Sequence, residues 1–192
     1  MNKNSKIQKL FDESAKIILD SKQLENQITD SILLITKSLK NKKKIIIFGN
    51  GGSAADSQHF AAEFIGRFLL ERQSLPAISL TTDTSILTSL GNDYSFDNIF
   101  SRQCESLVEK NDIVFGISTS GKSLNVINGI ETAKNQGAIT IALLGSGGGN
   151  LSQIVDIPII IPSNSTPRIQ ESHRIILHII CEIVEEYFTN KK

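Results

Sequence analysis

IIIFGNGGSAADSQHFAAE, residues 45–63, decides how the chain is read. Ile45, Ile46, Ile47 and Phe48 form a β-branched and aromatic run too short for a helix, bounded by Lys42 to Lys44 and by Gly49, and read as a strand. A run that is apolar at every position suits a parallel strand buried on both faces. Gly49, Gly51 and Gly52 let the backbone turn tightly and expose its N–H groups, and Ser53 is positioned to cap the helix that follows. An anion suits such a helix start. On that helix His59 and Glu63 lie four apart and share one face, so an imidazole and a carboxylate can meet over a single point.

Outward from this stretch, further strands are read at 77–80, 113–117, 139–144 and 157–161, with helical patterns between them. Five strands alternating with helices argue an α/β fold with a doubly wound parallel sheet and ligands outside the carboxyl ends of the strands. Two long helical segments flank this core. In residues 1–40, Ile7, Leu10, Phe11, Ile17, Ile18, Leu24, Ile28, Ile32, Ile35 and Leu39 recur at helical spacing, an apolar stripe fit for packing on the sheet or for an oligomer interface. The C-terminal helix, read at 168–188, is apolar nearly all round, with burial expected inside the domain or between subunits.

Composition narrows the function classes. A chain of 192 residues makes one domain that buries about 70% of its unfolded surface. Lys plus Arg (20) balances Asp plus Glu (20), which excludes a basic footprint for duplex nucleic acid and a polybasic membrane patch. Cys104 and Cys181 are the only cysteines and both fall in predicted helices, as expected of reduced thiols. No apolar run reaches about 18 residues and no signal core opens the chain, so a cytoplasmic protein without a membrane span is expected.

Two more loops carry candidate chemistry. In FGISTSGKSLNVI a strand opens into Ser118, Thr119, Ser120, Gly121, Lys122 and Ser123 before a helix, and hydroxyls converge with backbone N–H groups as a phosphate cradle or as a serine-rich turn with an N-cap. With Asn50 to Ser53 at the same sheet edge, the pair of loops suits a phosphorylated ligand with several hydroxyls. The third loop, GSGGGN at 145–150, reads as a flexible connection. In RIQESHRIILH, Gln170, Arg174 and His178 fall on one stripe of the last helix. A lone histidine there suits a satisfied core residue. A metal reading instead gathers His59, Glu63, Gln170 and His178 round one ion, two nitrogens and two oxygens as zinc accepts. Eight residues of helix rise about 12 Å, so this reading requires an irregular first turn at Gln170 or ligands from more than one subunit.

GNGGSAADSQHFAAE, LGNDYSFDNIFSRQ, ISTSGKSLNVI and RIQESHRIILH together resemble the phosphoheptose isomerases of the sugar-isomerase (SIS) fold, in order and in register over about residues 5–188. The resemblance implies a single SIS domain over 1–192, flavodoxin-like, with 1–40 an arm used in oligomerisation. It implies isomerisation of D-sedoheptulose 7-phosphate to D-glycero-D-manno-heptose 7-phosphate, the entry to heptose synthesis for bacterial surface glycans. It also implies a cytoplasmic homotetramer with active sites between subunits and one Zn2+ per subunit. Carried over by motif, the metal ligands fall on His59, Glu63, Gln170 and His178, and the acid/base pair on Glu63 and His178. Substrate contacts fall on Asn50, Gly51, Gly52, Ser53, Glu63, Asn92, Asp93, Ser118, Thr119, Ser120, Ser123 and Gln170, with Arg67 as a further phosphate candidate. Pro167 departs from the pattern, since some members carry an acidic residue there.

The residues suit this chemistry in their own right. Moving a carbonyl from carbon 2 to carbon 1 takes a proton from carbon 1 and returns one to carbon 2 through a cis-enediol, work for a carboxylate base and an imidazole acid. Three other readings compete, one of them a sugar-phosphate regulator with the fold but no turnover, which does not explain a paired Glu63 and His178. A binding module of the DnaA-initiator-associating type shares the fold and much of the motif set, but has no use for an acid/base pair at positions 63 and 178. A dinucleotide-binding domain fits Gly49, Gly51 and Ala54, yet the acidic residue expected about 20 positions on is missing, because Leu80 is followed by Thr81 and Thr82.

Overall fold

The computed structural model describes residues 3–189; the first two and last three residues of the predicted 1–192 domain lie outside the described residues. Five parallel strands, β1 (Ile45–Gly49), β2 (Ala77–Ser79), β3 (Ile113–Ser118), β4 (Ile139–Leu144) and β5 (Ile157–Ile160), form one sheet in the order β2-β1-β3-β4-β5. This is the flavodoxin-like order, in which the chain reverses direction of winding between β1 and β3 and a crevice opens at the carboxyl ends of those two strands. The helices are α1 (Lys3–Asp20), α2 (Glu25–Lys40), α3 (Gly52–Ile65), α4 (Thr84–Asp93), α5 (Ser101–Leu107), α6 (Leu124–Asn135) and α7 (Thr166–Glu186).

The two-residue period of β1 divides the core. Ile45 and Ile47 enter a cluster with Ile35 of α2, Phe60 and Phe64 of α3, and Leu177 and Ile180 of α7. Ile46 and Phe48 enter a second cluster with Phe100 and Cys104 of α5 and Val126 and Ile130 of α6. All four β1 side chains are fully buried, each stabilising the fold by about 1.5–3 kcal/mol, which is why this run has no polar position.

The predicted N-terminal stretch is two helices, not one. A 3-10 turn, Ser21–Leu24, breaks it, with Ser21 Oγ donating to the Ile17 carbonyl (2.8 Å) and Leu24 buried. Beyond the break α2 packs on β5 and α7, while α1 lies along α7 and leaves Ile7, Phe11 and Leu19 more than half exposed. The last helix, expected to be buried inside the domain or between subunits, is buried within this chain on one side. Ile176, Leu177, Ile180 and Val184 are buried, whereas Ile175, Ile179 and Ile183 stay over a third exposed along a groove shared with Ile18 and Ile28. Pro167 sits in the first turn of α7, where its missing N–H breaks no helical bond.

Candidate active site

The switch between β1 and β3 brings two of the predicted loops together. At Gly49 a Cβ would stand 2.7 Å from the Ile117 carbonyl and 2.7 Å from Ser53 Cβ, so only glycine lets the ends of the two strands approach this closely. Across the switch Asn50 and Asn125 exchange side-chain hydrogen bonds, Asn50 Nδ2 to Asn125 Oδ1 (2.8 Å) and Asn125 Nδ2 to Asn50 Oδ1 (3.0 Å). Asn125 escaped the sequence reading; its only signal was an amide in the first turn of the helix behind the serine-rich loop. Ser53 is not the N-cap expected of it. Gly51 takes that place, and Ser53, the second residue of α3, is buried with its N–H donating to the Asn50 carbonyl (3.0 Å).

In the second loop Ser118 and Ser123 hydroxyls lie 3.1 Å apart, Gly121 N–H donates to Ser118 Oγ (3.1 Å) and Lys122 N–H to Ser120 Oγ (3.2 Å). Thr119 and Ser120 are half-buried at its tip. The 145–150 loop, expected to be a flexible connection, buttresses this one. Gly121 has φ +64° and its Cβ position is filled by the Gly148 carbonyl at 1.9 Å, while Leu151 N–H donates to the Gly121 carbonyl (3.1 Å). The three consecutive glycines of the 145–150 loop, Gly147 to Gly149, are what allow backbone to rest on backbone.

The predicted acid, base and metal residues lie on α3 and α7, which run parallel with their steps matched. At the first step a Cβ on Gly52 would lie 2.5 Å from Gln170 Nε2. At the second, Arg174 Nε donates to Asp56 Oδ1 (2.8 Å) and Nη2 pairs with the same oxygen, which neutralises a carboxylate whose side chain is 6% exposed. At the third, His59 Nε2 and His178 Nε2 stand 2.8 Å apart with their rings edge to face, and Glu63 Oε1 lies 3.5 Å from His59 Nε2. Phe68 packs against the His178 ring at 5.5 Å. Burial, then the neighbouring His59 and Arg174, push the His178 imidazole below its ordinary pKa, against the opposing pull of Glu63 and Asp56. His178 is therefore a neutral imidazole at pH 7, able to donate from one ring nitrogen and accept at the other.

His59, Glu63 and His178 thus meet in one chain, and Gln170 stands apart. α7 is helical through Gln170, which removes the irregular first turn as a way of bringing it to His178. The donor set is one that zinc accepts, but its present spacing is that of a hydrogen-bonded pair: two imidazole nitrogens on a tetrahedral zinc stand roughly 3.3 Å apart. Among the described residues no group of three or more His, Cys, Asp or Glu side chains is set as a cage for an ion. Asn92 and Asp93 end α4 exposed, Asn92 Nδ2 donating to Asp93 Oδ1 (2.8 Å), with no hydrogen bond to the other candidates among the described residues. Arg67 is exposed and pairs with Glu71 (3.7 Å).

Comparison with known proteins agrees with the geometry. The SIS domain family model matches residues 10–145. The phosphoheptose isomerase of Aquifex aeolicus is 53% identical over 182 residues, 94% of this chain and 95% of its own length. That of Geobacter metallireducens is 52% identical over 85% of this chain and 88% of its own length. Among solved structures, phosphoheptose isomerase from Neisseria gonorrhoeae superposes with a TM-score of 0.91 at 38% identity, covering 95% of this chain and 98% of that one. The phosphoheptose isomerase from Francisella tularensis gives 0.93 at 34% identity, covering 97% of this chain and 100% of that one. With about half of all residues identical along nearly the whole length and a shared overall fold, the chain belongs to the phosphoheptose isomerases of the SIS domain family.

Proposed function

We infer that the chain interconverts D-sedoheptulose 7-phosphate and D-glycero-D-manno-heptose 7-phosphate, an aldose–ketose isomerisation at the entry to heptose biosynthesis for bacterial surface glycans. The observation that carries this reading is the meeting of Glu63 and His178, from two different helices, around His59 (3.5 and 2.8 Å). A binding module of the DnaA-initiator-associating type has no need of that juxtaposition.

In this mechanism the loops at 50–53 and 118–123 hold the sugar phosphate, its anionic end on the Ser118, Thr119, Ser120 and Ser123 hydroxyls and on N–H groups at the start of α6. Asn92 and Asp93 approach the sugar hydroxyls from α4. The Glu63 carboxylate removes the carbon 1 proton and delivers it to carbon 2. His178, neutral beforehand, donates its N–H to the oxygen on carbon 2 as the carbonyl becomes an enediol, then takes the proton from the oxygen on carbon 1 as the aldehyde forms. Assistance of this kind contributes about 10²–10⁴-fold in rate. His59, Glu63 and His178 are the residues that would hold zinc, joined by Gln170 of a neighbouring subunit. Bound there, zinc supplies Lewis acidity at the substrate oxygens.

The homotetramer belongs to this reading. Its support is the outward stripe of Ile175, Ile179 and Ile183 beside the exposed apolar residues of α1, together with the separation of Gln170 from the other three ligand types within one chain. A cytoplasmic location accords with a phosphorylated sugar substrate, and among the described residues no helix is long and apolar enough to cross a membrane.

Proton NMR of sedoheptulose 7-phosphate with the protein in heavy water tests the reading. An aldose signal with deuterium at carbon 2 is expected. Glu63→Gln should retain the circular dichroism of the parent and lose turnover by about 10²–10⁴-fold. Absence of any aldose from the parent chain supplied with zinc would overturn the isomerase reading.

A further inference from the structure

Behind the candidate acid/base pair lies a second, fully buried charge pair. After α3 the chain runs irregularly through 66–76, a segment without a strand or helix to hold it. Three of its backbone N–H groups are held by Glu185, on the last turn of α7. Glu185 Oε1 accepts from Phe68 N–H (2.8 Å), and Oε2 accepts from Leu69 and Leu70 N–H (both 2.7 Å). Three successive backbone N–H groups on one carboxylate form an anion nest filled by the protein's own side chain.

Arg72 closes the arrangement. Its Nε lies 3.1 Å from Glu185 Oε1, an ion pair without an aligned hydrogen bond, and both side chains are 1% exposed. The rest of the guanidinium is spent on carbonyls. Nη1 donates to Phe64 (2.9 Å), Gln73 (2.9 Å) and Gly66 (3.3 Å), and Nη2 donates to the carbonyl of Glu63 (2.7 Å). Burial raises the Glu185 carboxyl, but the three N–H groups and Arg72 outweigh it and hold the group below its usual range, so it is ionised at pH 7. The pair touches both members of the candidate couple by different routes. One is the Glu63 carbonyl; the other is Phe68, whose N–H is fixed by Glu185 and whose ring lies 5.5 Å from that of His178.

We propose that Arg72 and Glu185 are positioning residues for the isomerisation: by fixing the C-terminal end of α3 and pressing Phe68 on His178, they set the approach of His178 to Glu63. Neither residue reaches substrate. A buried carboxylate and guanidinium tie together the ends of the two helices that carry the chemistry, so the relative placement of base and acid does not rest on apolar packing alone.

This inference rests on the isomerase reading for its kinetic test and is independent of it for its spectroscopic one. In Phe68→Leu, which keeps an apolar side chain, kcat falls about tenfold while KM stays within about twofold. Arg72→Lys keeps the charge opposite Glu185 but cannot span the four carbonyls; it shifts the ring resonances of His178, one of three histidines, and leaves His173 in place, although Arg72 touches neither ring. Glu185→Gln serves for Arg72→Lys if that variant does not fold, and if neither folds the Phe68→Leu kinetics decide. An unchanged kcat in folded Phe68→Leu overturns the proposal. So does an Arg72→Lys spectrum in which His178 is unmoved, or in which all three histidine signals broaden together. A parent chain without turnover sinks the isomerase reading, while the His178 shift still reports on the clamp.

Discussion

On one face of the sheet α3 and α7 bury Phe60, Phe64, Leu177 and Ile180 and hold Glu63 and His178 between them; on the other, α4 has no buried residue and carries Asn92 and Asp93 at its exposed end. Both regions hold candidate site residues, yet they are built to opposite standards. Proton transfer fails when reacting atoms are misplaced by about 1 Å, so the acid and base stand on helices fixed by the core. Binding sugar hydroxyls tolerates adjustment, and α4 is anchored by little more than its Asp83 cap on Ile86 N–H (2.9 Å) and the half-buried Leu87 and Leu90.

That contrast can be broken by measurement. Phe60→Ala should lose about 3–5 kcal/mol in urea unfolding, against about 1 kcal/mol for Leu90→Ala. Equal losses would mean that α4 is as integral as α3. A smaller effect tests the α7 side through His173, which is completely buried and bonded through Nε2 to the Leu144 carbonyl (3.1 Å). Burial lowers its pKa from 6.5 to about 4, against the opposing effects of that hydrogen bond and of Asp56. As pH falls below 6.5 the unfolded chain takes up a proton that the folded chain refuses until about pH 4, so stability is full above 6.5 and declines through this window by roughly 3 kcal/mol. His173→Gln should remove that part of the slope in unfolding curves recorded at pH 4.5 and 7. The smallest effect belongs to the loops: Thr119→Ala should raise KM by about tenfold, the loss of one hydrogen bond to a charged group, with the melting temperature nearly unchanged.

The sheet was legible because its strands are continuous β-branched runs, and β4 begins and ends where the sequence placed it, at Ile139 and Leu144. Glu63, His59 and His178 were legible because the four-residue step of a helix is enough to put an imidazole over a carboxylate. The break at Ser21–Leu24 was hidden, since SKQL contains neither glycine nor proline and the apolar stripe continues through it. The buttressing role of Gly148 was hidden for a different reason: a glycine-rich string looks the same whether it is slack or packed against another backbone. Asn125 and Glu185 were missed because each acts through a partner 75 or more than 110 positions away in the chain, a distance no local pattern spans.

The matched steps along α3 and α7, Gly52 with Gln170, Asp56 with Arg174 and His59 with His178, have a consequence for how this protein can evolve. Deleting or inserting a single residue between 174 and 178 would turn everything beyond it by about 100° about the helix axis and shift it 1.5 Å along it. The Asp56 pair and the histidine contact could not then both survive. The segment is free to change in composition at its outward positions, but its length is fixed.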